Sequence, residues 1–149
     1  MNLVRVQRAH QHDFVEAVRE GAVRVTTGPL VDLSVRCGDL VIQPSQADNR
    51  VAGSCHADVH VQAARWVPVH EVRLIINGEI YRREWVGTMG SDRRFSFSLP
   101  RAQAMWLIAE AGWPLEKEGR LQGTLFDRLA PGHVPIGFTN PIWLSTGAY

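Results

Sequence analysis

The chain has 149 residues, the length of one domain, and a domain of this size buries roughly 68–70% of its unfolded surface without needing a staple. Apolar residues make up 45% and charged residues 21%, which excludes intrinsic disorder. Sixteen basic against fifteen acidic residues leave a net charge of +1, no surplus for a nucleic-acid backbone. Cys37 and Cys55 allow one bridge but no disulfide framework. Met1 to His10 carries arginines at 5 and 8 with no apolar run behind them, so no secretory leader is expected. No stretch reaches the ~20 apolar residues of a membrane span. The expectation is a soluble chain, cytoplasmic by default.

In chain order, residues 1–12 read as an N-terminal segment ahead of a single domain over 13–149. Leu3, Val4 and Val6 fit either a short strand or an extension of the helix that follows. That helix is expected over 13–20: Asp13 and Glu16 have capping-box spacing, Phe14, Ala17 and Val18 share a face, and Gly21 stops it. After Gly21 the texture is strands and turns. Val23 to Thr26 is β-branched, Gly28-Pro29 turns the chain, and Val31, Leu33 and Val35 lie on one face of the next strand. Leu40 to Ile42 follows the Gly38-Asp39 turn, and residues 43–50 read as a polar loop. From Cys55 to Ala63 apolar and polar residues alternate without a break, the mark of a half-buried strand. Asn77-Gly78 lies between Val72, Leu74, Ile76 and Ile80, Tyr81, Trp85, which predicts a hairpin with a type I′ turn. Phe95, Phe97 and Leu99 alternate in another strand. The apolar run Met105 to Ala109 is read as a buried strand rather than a helical turn, since Gly112 and Pro114 bound it. Residues 116–132 form a long connection with a helical turn over 125–129, and Ile142 to Leu144 is the last strand. Seven or eight short strands predict a mostly β fold, an immunoglobulin-like antiparallel β-sandwich with a short N-terminal helix.

Motifs that carry chemistry are sparse. His10 and His12 form a His-x-His pair, but no ligand follows at metal spacing. His56, Asp58 and His60 share a strand face; the two imidazoles lie about 13 Å apart along the strand, too far for one metal. A metal centre at His10, His12, His56, Asp58 and His60 is therefore the lesser alternative, and no cofactor is expected. No Gly-x-Ser-x-Gly elbow exists, and Gly87 and Gly90 bracket a tight turn with no helix behind it. Five tryptophans are many for this length. Trp106 and Trp143 fall in apolar strands and are expected in the core, whereas Trp66 and Trp113, beside loops and prolines, are the expected exposed pair for a ligand.

Four stretches in order carry a family resemblance: Asp13 to Gly21, Val25-Thr-Thr-Gly-Pro-Leu-Val31, Val72-Arg-Leu-Ile-Ile-Asn-Gly78 and Phe138-Thr-Asn-Pro-Ile142. Together they resemble the C-terminal β-sandwich domain of the CehA/McbA-type metallohydrolases of the PHP (polymerase and histidinol phosphatase) superfamily, with Thr27 where asparagine is usual. The resemblance implies that the catalytic residues belong to an upstream domain and that none maps onto this chain. The reading is thus a non-catalytic accessory or interaction domain with no hydrolytic activity of its own. The alternative is a small ligand- or carbohydrate-binding module using Trp66 and Trp113. Phe14, Val15 and Val18 cannot all face the sandwich, because Val15 lies about 100° round a helix from Phe14. A homodimer through the N-terminal segment is therefore expected, with neither nucleic acid nor membrane as partner.

Overall fold

A computed structural model describes residues 1–6, 8–45, 47–86, 92–114, 121 and 123–146. The chain is mostly β: two sheets pack face to face as an immunoglobulin-like sandwich with a short N-terminal helix. Twelve strands are present among the described residues, more than the seven or eight expected. The larger sheet holds β1 (Asn2–Val4), β2 (Val23–Thr26), β5 (Asp48–Val51), β7 (Glu71–Ile76), β8 (Glu79–Trp85), β10 (Ala104–Gly112), β11 (Ile136–Thr139) and β12 (Ile142–Thr146). The smaller sheet runs β4 (Leu40–Ile42), β3 (Leu30–Cys37), β6 (Cys55–Gln62), β9 (Asp92–Ser98). All these pairings are antiparallel except β5 beside β12. The expected polar loop over 43–50 is thus corrected: its second half enters strand β5, whose side chains alternate between exposed and half-buried and so leave no apolar signature.

Strand β10 is the axis of the larger sheet. One edge pairs with β7 along Leu107 to Gly112. The other is shared, with β12 against Ala104 to Leu107 and β11 against Glu110 to Gly112. The core lies between the sheets, where Val31, Leu33, Val35, Ala57, Val59 and Val61 meet Val72, Leu74, Leu107, Ala109 and Ile142. The alternation from Cys55 to Ala63 lands as read, with Cys55, Ala57, Val59 and Val61 buried. Cys37 and Cys55 are directly opposite each other across β3 and β6 and are joined in a disulfide, each only 8% exposed. With 18 residues of separation, such a bridge contributes about 3 kcal/mol by restricting the unfolded chain.

The N-terminal segment is part of the larger sheet, since β1 pairs with β2. Helix α1 spans Gln11–Arg19, not 13–20. The Phe14 amide donates to the His10 carbonyl at 3.1 Å, which closes the first turn two residues early and makes His10 the N-cap. Asp13 therefore sits in the first turn, where its charge favours the positive end of the helix, and does not cap. Gly21, at φ 80°, ends the helix as expected: its amide donates to Val18 and that of Ala22 to Ala17, closing a Schellman motif. Helix α2 spans Leu125–Leu129, with the Thr124 hydroxyl capping the Asp127 amide at 3.2 Å. Gly87, Gly90 and residues 116–120 lie outside the described residues.

The Asn77-Gly78 hairpin has φ of 51° and 89°, left-handed at both central residues. A β-branched side chain opposes that conformation. Gly78→Val is expected to cost about 1–2 kcal/mol, read as a lower urea midpoint with an unchanged slope.

Candidate functional site

The two outer sheet faces differ in chemistry. On the smaller sheet, His56, Asp58 and His60 point outward from β6, and each already has a polar neighbour. Arg36 donates to Asp58 at 2.7 Å, His60 Nε2 meets Asp92 at 2.7 Å, and the Ser98 hydroxyl lies 3.4 Å from His56 Nδ1. Arg24 pairs with Asp32 at 2.5 Å beside them. The His60 hydrogen bond is the main cause holding the Asp92 carboxyl below its usual range. Among the described residues no three His, Cys, Asp or Glu side chains gather where a metal ion could be held. His10 and His12 sit at the exposed start of α1, with the His12 ring 3.8 Å from Asp13 and from Glu16.

The outer face of the larger sheet is instead apolar along its centre, carrying half-buried Ile75 and Ile108 and exposed Ile80. Toward one end it holds a covered ionic cluster. Arg73 of β7 donates to Glu110 of β10, directly opposite it, and its Nε lies 3.3 Å from Glu71. Arg83 of β8 approaches Glu71 at 3.8 Å. Glu71 and Arg73 are only 2% and 4% exposed. Burial, partly offset by Arg73, pushes the Glu110 carboxyl above its usual value. His70 completes this end, packing its ring 4.3 Å from Trp113 and 5.1 Å from Trp85, centre to centre.

Trp66 is exposed as expected, whereas Trp113, Trp106 and Trp143 fall differently from their expected places. Trp66 is exposed, but it stacks on Phe126, the buried side chain of α2, and so covers one end of the core. Trp113 is half-buried against the core and His70. The expected ligand pair is therefore divided between two packing roles. Trp106 and Trp143, expected in the core, face outward as cross-strand partners on β10 and β12, ring centres 6.2 Å apart and inclined at 43°. Their neighbours Met105 and Leu107 take the inward positions. With Asp48, Asn77, Ala104 and Ser145 the two indoles line a cleft of about 340 Å³.

No known family model, no curated protein and no solved structure matches this chain. In the fold, the four resembling stretches are α1 with its glycine stop, the passage from β2 to β3, β7 with its hairpin, and the β11–β12 junction. No helix among the described residues is long and apolar enough to cross a membrane.

The ionic cluster generates two expectations. Arg73→Met leaves two covered carboxylates short of their shared cation and is expected to cost about 3–5 kcal/mol in urea denaturation. For Glu110 the folded pKa exceeds the unfolded one. The native chain therefore binds the extra proton, and stability declines as pH rises from the usual 4.5 through the raised value. Glu110→Gln should flatten that decline in urea midpoints followed across pH ~4–7.

Proposed function

We propose that the chain is a non-catalytic accessory domain that works by docking to another protein surface through its N-terminal edge. The observation that carries this reading is the state of α1. Phe14, Val15 and Val18 are 51%, 40% and 43% exposed, and Ala17 is the helix's buried residue. A helix that leaves its bulky apolar side chains in water presents a surface for a partner. Strand β1 lies beside it at the edge of the larger sheet, with β2 as its neighbour on the inner side. The Asn140 side chain donates to the Gly21 carbonyl at 2.9 Å and anchors the helix end to the sandwich, so the surface is held in a fixed pose.

The occupant we infer is a second copy, because a two-fold pairing covers one such patch with its twin. The resemblance to the tail of a PHP-type metallohydrolase supports the same surface, since Asp13 to Gly21 resembles the last helix of the catalytic domain there and so falls at the junction between the two domains. The outward histidines and aspartates of the smaller sheet support a structural role: their side chains are engaged in ion pairs and hydrogen bonds with one another's strands. The Cys37–Cys55 bridge favours an oxidising compartment over the reducing cytoplasm of the default expectation.

Light scattering across micromolar concentrations tests the reading. A dimer is expected, weakened at least about tenfold by Phe14→Asp or Val18→Asp. A strict monomer at every concentration, or a dimer indifferent to both substitutions, overturns self-docking through α1.

A further inference from the structure

We propose that the cleft between Trp106 and Trp143 is a binding site for a neutral oligosaccharide. The argument begins with how the cleft is built. Trp106 and Trp143 stand opposite each other on adjacent strands, so their spacing is set by the sheet and not by a loop. The hairpin tip is clamped to the same place: the Asn77 amide donates to the Trp106 carbonyl and the Trp106 amide to Asn77 Oδ1, both at 3.0 Å. On the other side β5 runs parallel to β12 and sets Asp48 against Trp143. Ser145 donates to Asp48 Oδ2 at 3.1 Å, and the Asn49 amide group donates to the Trp143 carbonyl at 3.0 Å. Every polar side chain at the rim is thus oriented before any ligand arrives, which removes ordering cost from binding.

The chemistry at the rim selects the ligand class. Pyranose rings present an apolar C–H face and an equatorial belt of hydroxyls. The indoles offer broad apolar faces for the first. For the second, Asp48 accepts one hydrogen bond from Ser145, and a carboxylate has about four acceptor positions. Asn77 uses its carbonyl oxygen on Trp106, which leaves the two donors of its amide nitrogen outside that bond. An acceptor and a donor flanking two aromatic faces match the alternating donors and acceptors of a diol. The negative charge of Asp48, with no basic side chain among the described residues that line the cleft, disfavours an anionic ligand. At about 340 Å³ the volume lies at the small end of ligand pockets, the scale of one or two sugar units of a longer chain. At 43° to each other the two rings do not form one flat shelf, which disfavours lying along a crystalline surface.

The test is titration of the full chain with cellohexaose, maltohexaose, mannohexaose and chitohexaose, followed by calorimetry and tryptophan fluorescence, with a proline-rich peptide as a parallel probe. Saturable binding of at least one sugar is expected, weakened about tenfold or more by Trp143→Ala and by Asp48→Ala and unchanged by Trp66→Ala. Asp48 is exposed, so its variant reports even where the tryptophan variant folds poorly. Failure of all four sugars to bind, binding indifferent to both cleft variants, or saturation by the peptide alone overturns the proposal. A monomer in light scattering would overturn the docking reading and leave this one standing, since the cleft lies outside α1.

Discussion

The sandwich depends on how closely two backbones approach where the chain passes from the larger sheet to the smaller. At Gly137 a Cβ would stand 2.3 Å from the Pro29 carbonyl oxygen, and at Gly28 one would stand 2.8 Å from a Val67 methyl. Neither position has room for a side chain, so both are glycine. The buried Thr26 hydroxyl donates to the Pro29 carbonyl at 2.6 Å and accepts from the Gly28 amide at 2.8 Å, which fixes the turn internally. Thr27 extends the lock across more than a hundred residues of sequence by donating to the Val134 carbonyl at 2.6 Å and accepting from the Ile136 amide at 2.9 Å. Phe126 packs into the same corner, beneath Trp66. The Thr-Thr-Gly-Pro stretch thus joins the sheets by geometry and satisfies its own polar groups while doing so.

That corner decides which side of each strand meets the core, and so which chemistry is left on each outer face. Strands β3 and β6 turn their valines and Leu33 inward and leave serine, histidine, aspartate and arginine outside, as a sheet facing water does. Strands β7 and β10 are apolar on the inner face, and their outer side carries isoleucine and tryptophan with a covered ion cluster at one end. A buried ion group of this kind adds little net stability over an apolar equivalent, yet removing one partner is costly. Its effect here is to tie β7, β8 and β10 in one register.

The sequence made some of this legible and hid the rest for a common reason. Alternation is readable only where the two faces differ. From Cys55 to Gln62 they do, and the burial pattern follows the reading, while Ala63 falls just past the strand and is half-buried. Asn77-Gly78 is legible for a separate reason, since few residues accept a left-handed backbone. From Met105 to Ala109 both faces are apolar, so the strand is recognisable but its phase is not, and Trp106 is assigned to the core although it faces water. Trp143 repeats the error next door. Strand β5 carries no apolar signature because it is an exposed edge held by one parallel neighbour. The cleft therefore combines the elements a local reading handles worst, a strand apolar on both faces and a polar edge strand brought in from a distant part of the chain.

The position of that cleft relative to α1 gives the two proposed surfaces a joint consequence. Strands β11 and β12 share one edge of β10 but meet its opposite halves. The route through β11 leads by β2 to β1 and the helix, while the route through β12 leads to β5 and the cleft. The two proposed surfaces thus lie toward different ends of the strand order of one sheet. A two-fold pair joined through α1 would present two clefts, one toward the β5 end of each copy's larger sheet. For a repetitive ligand such as an oligosaccharide, the second contact then becomes intramolecular. A weak single-site affinity is raised by effective concentration wherever the chain can span both sites. A small cleft made of two indoles and three polar side chains is suited to that arrangement, in which repetition of a modest site replaces depth.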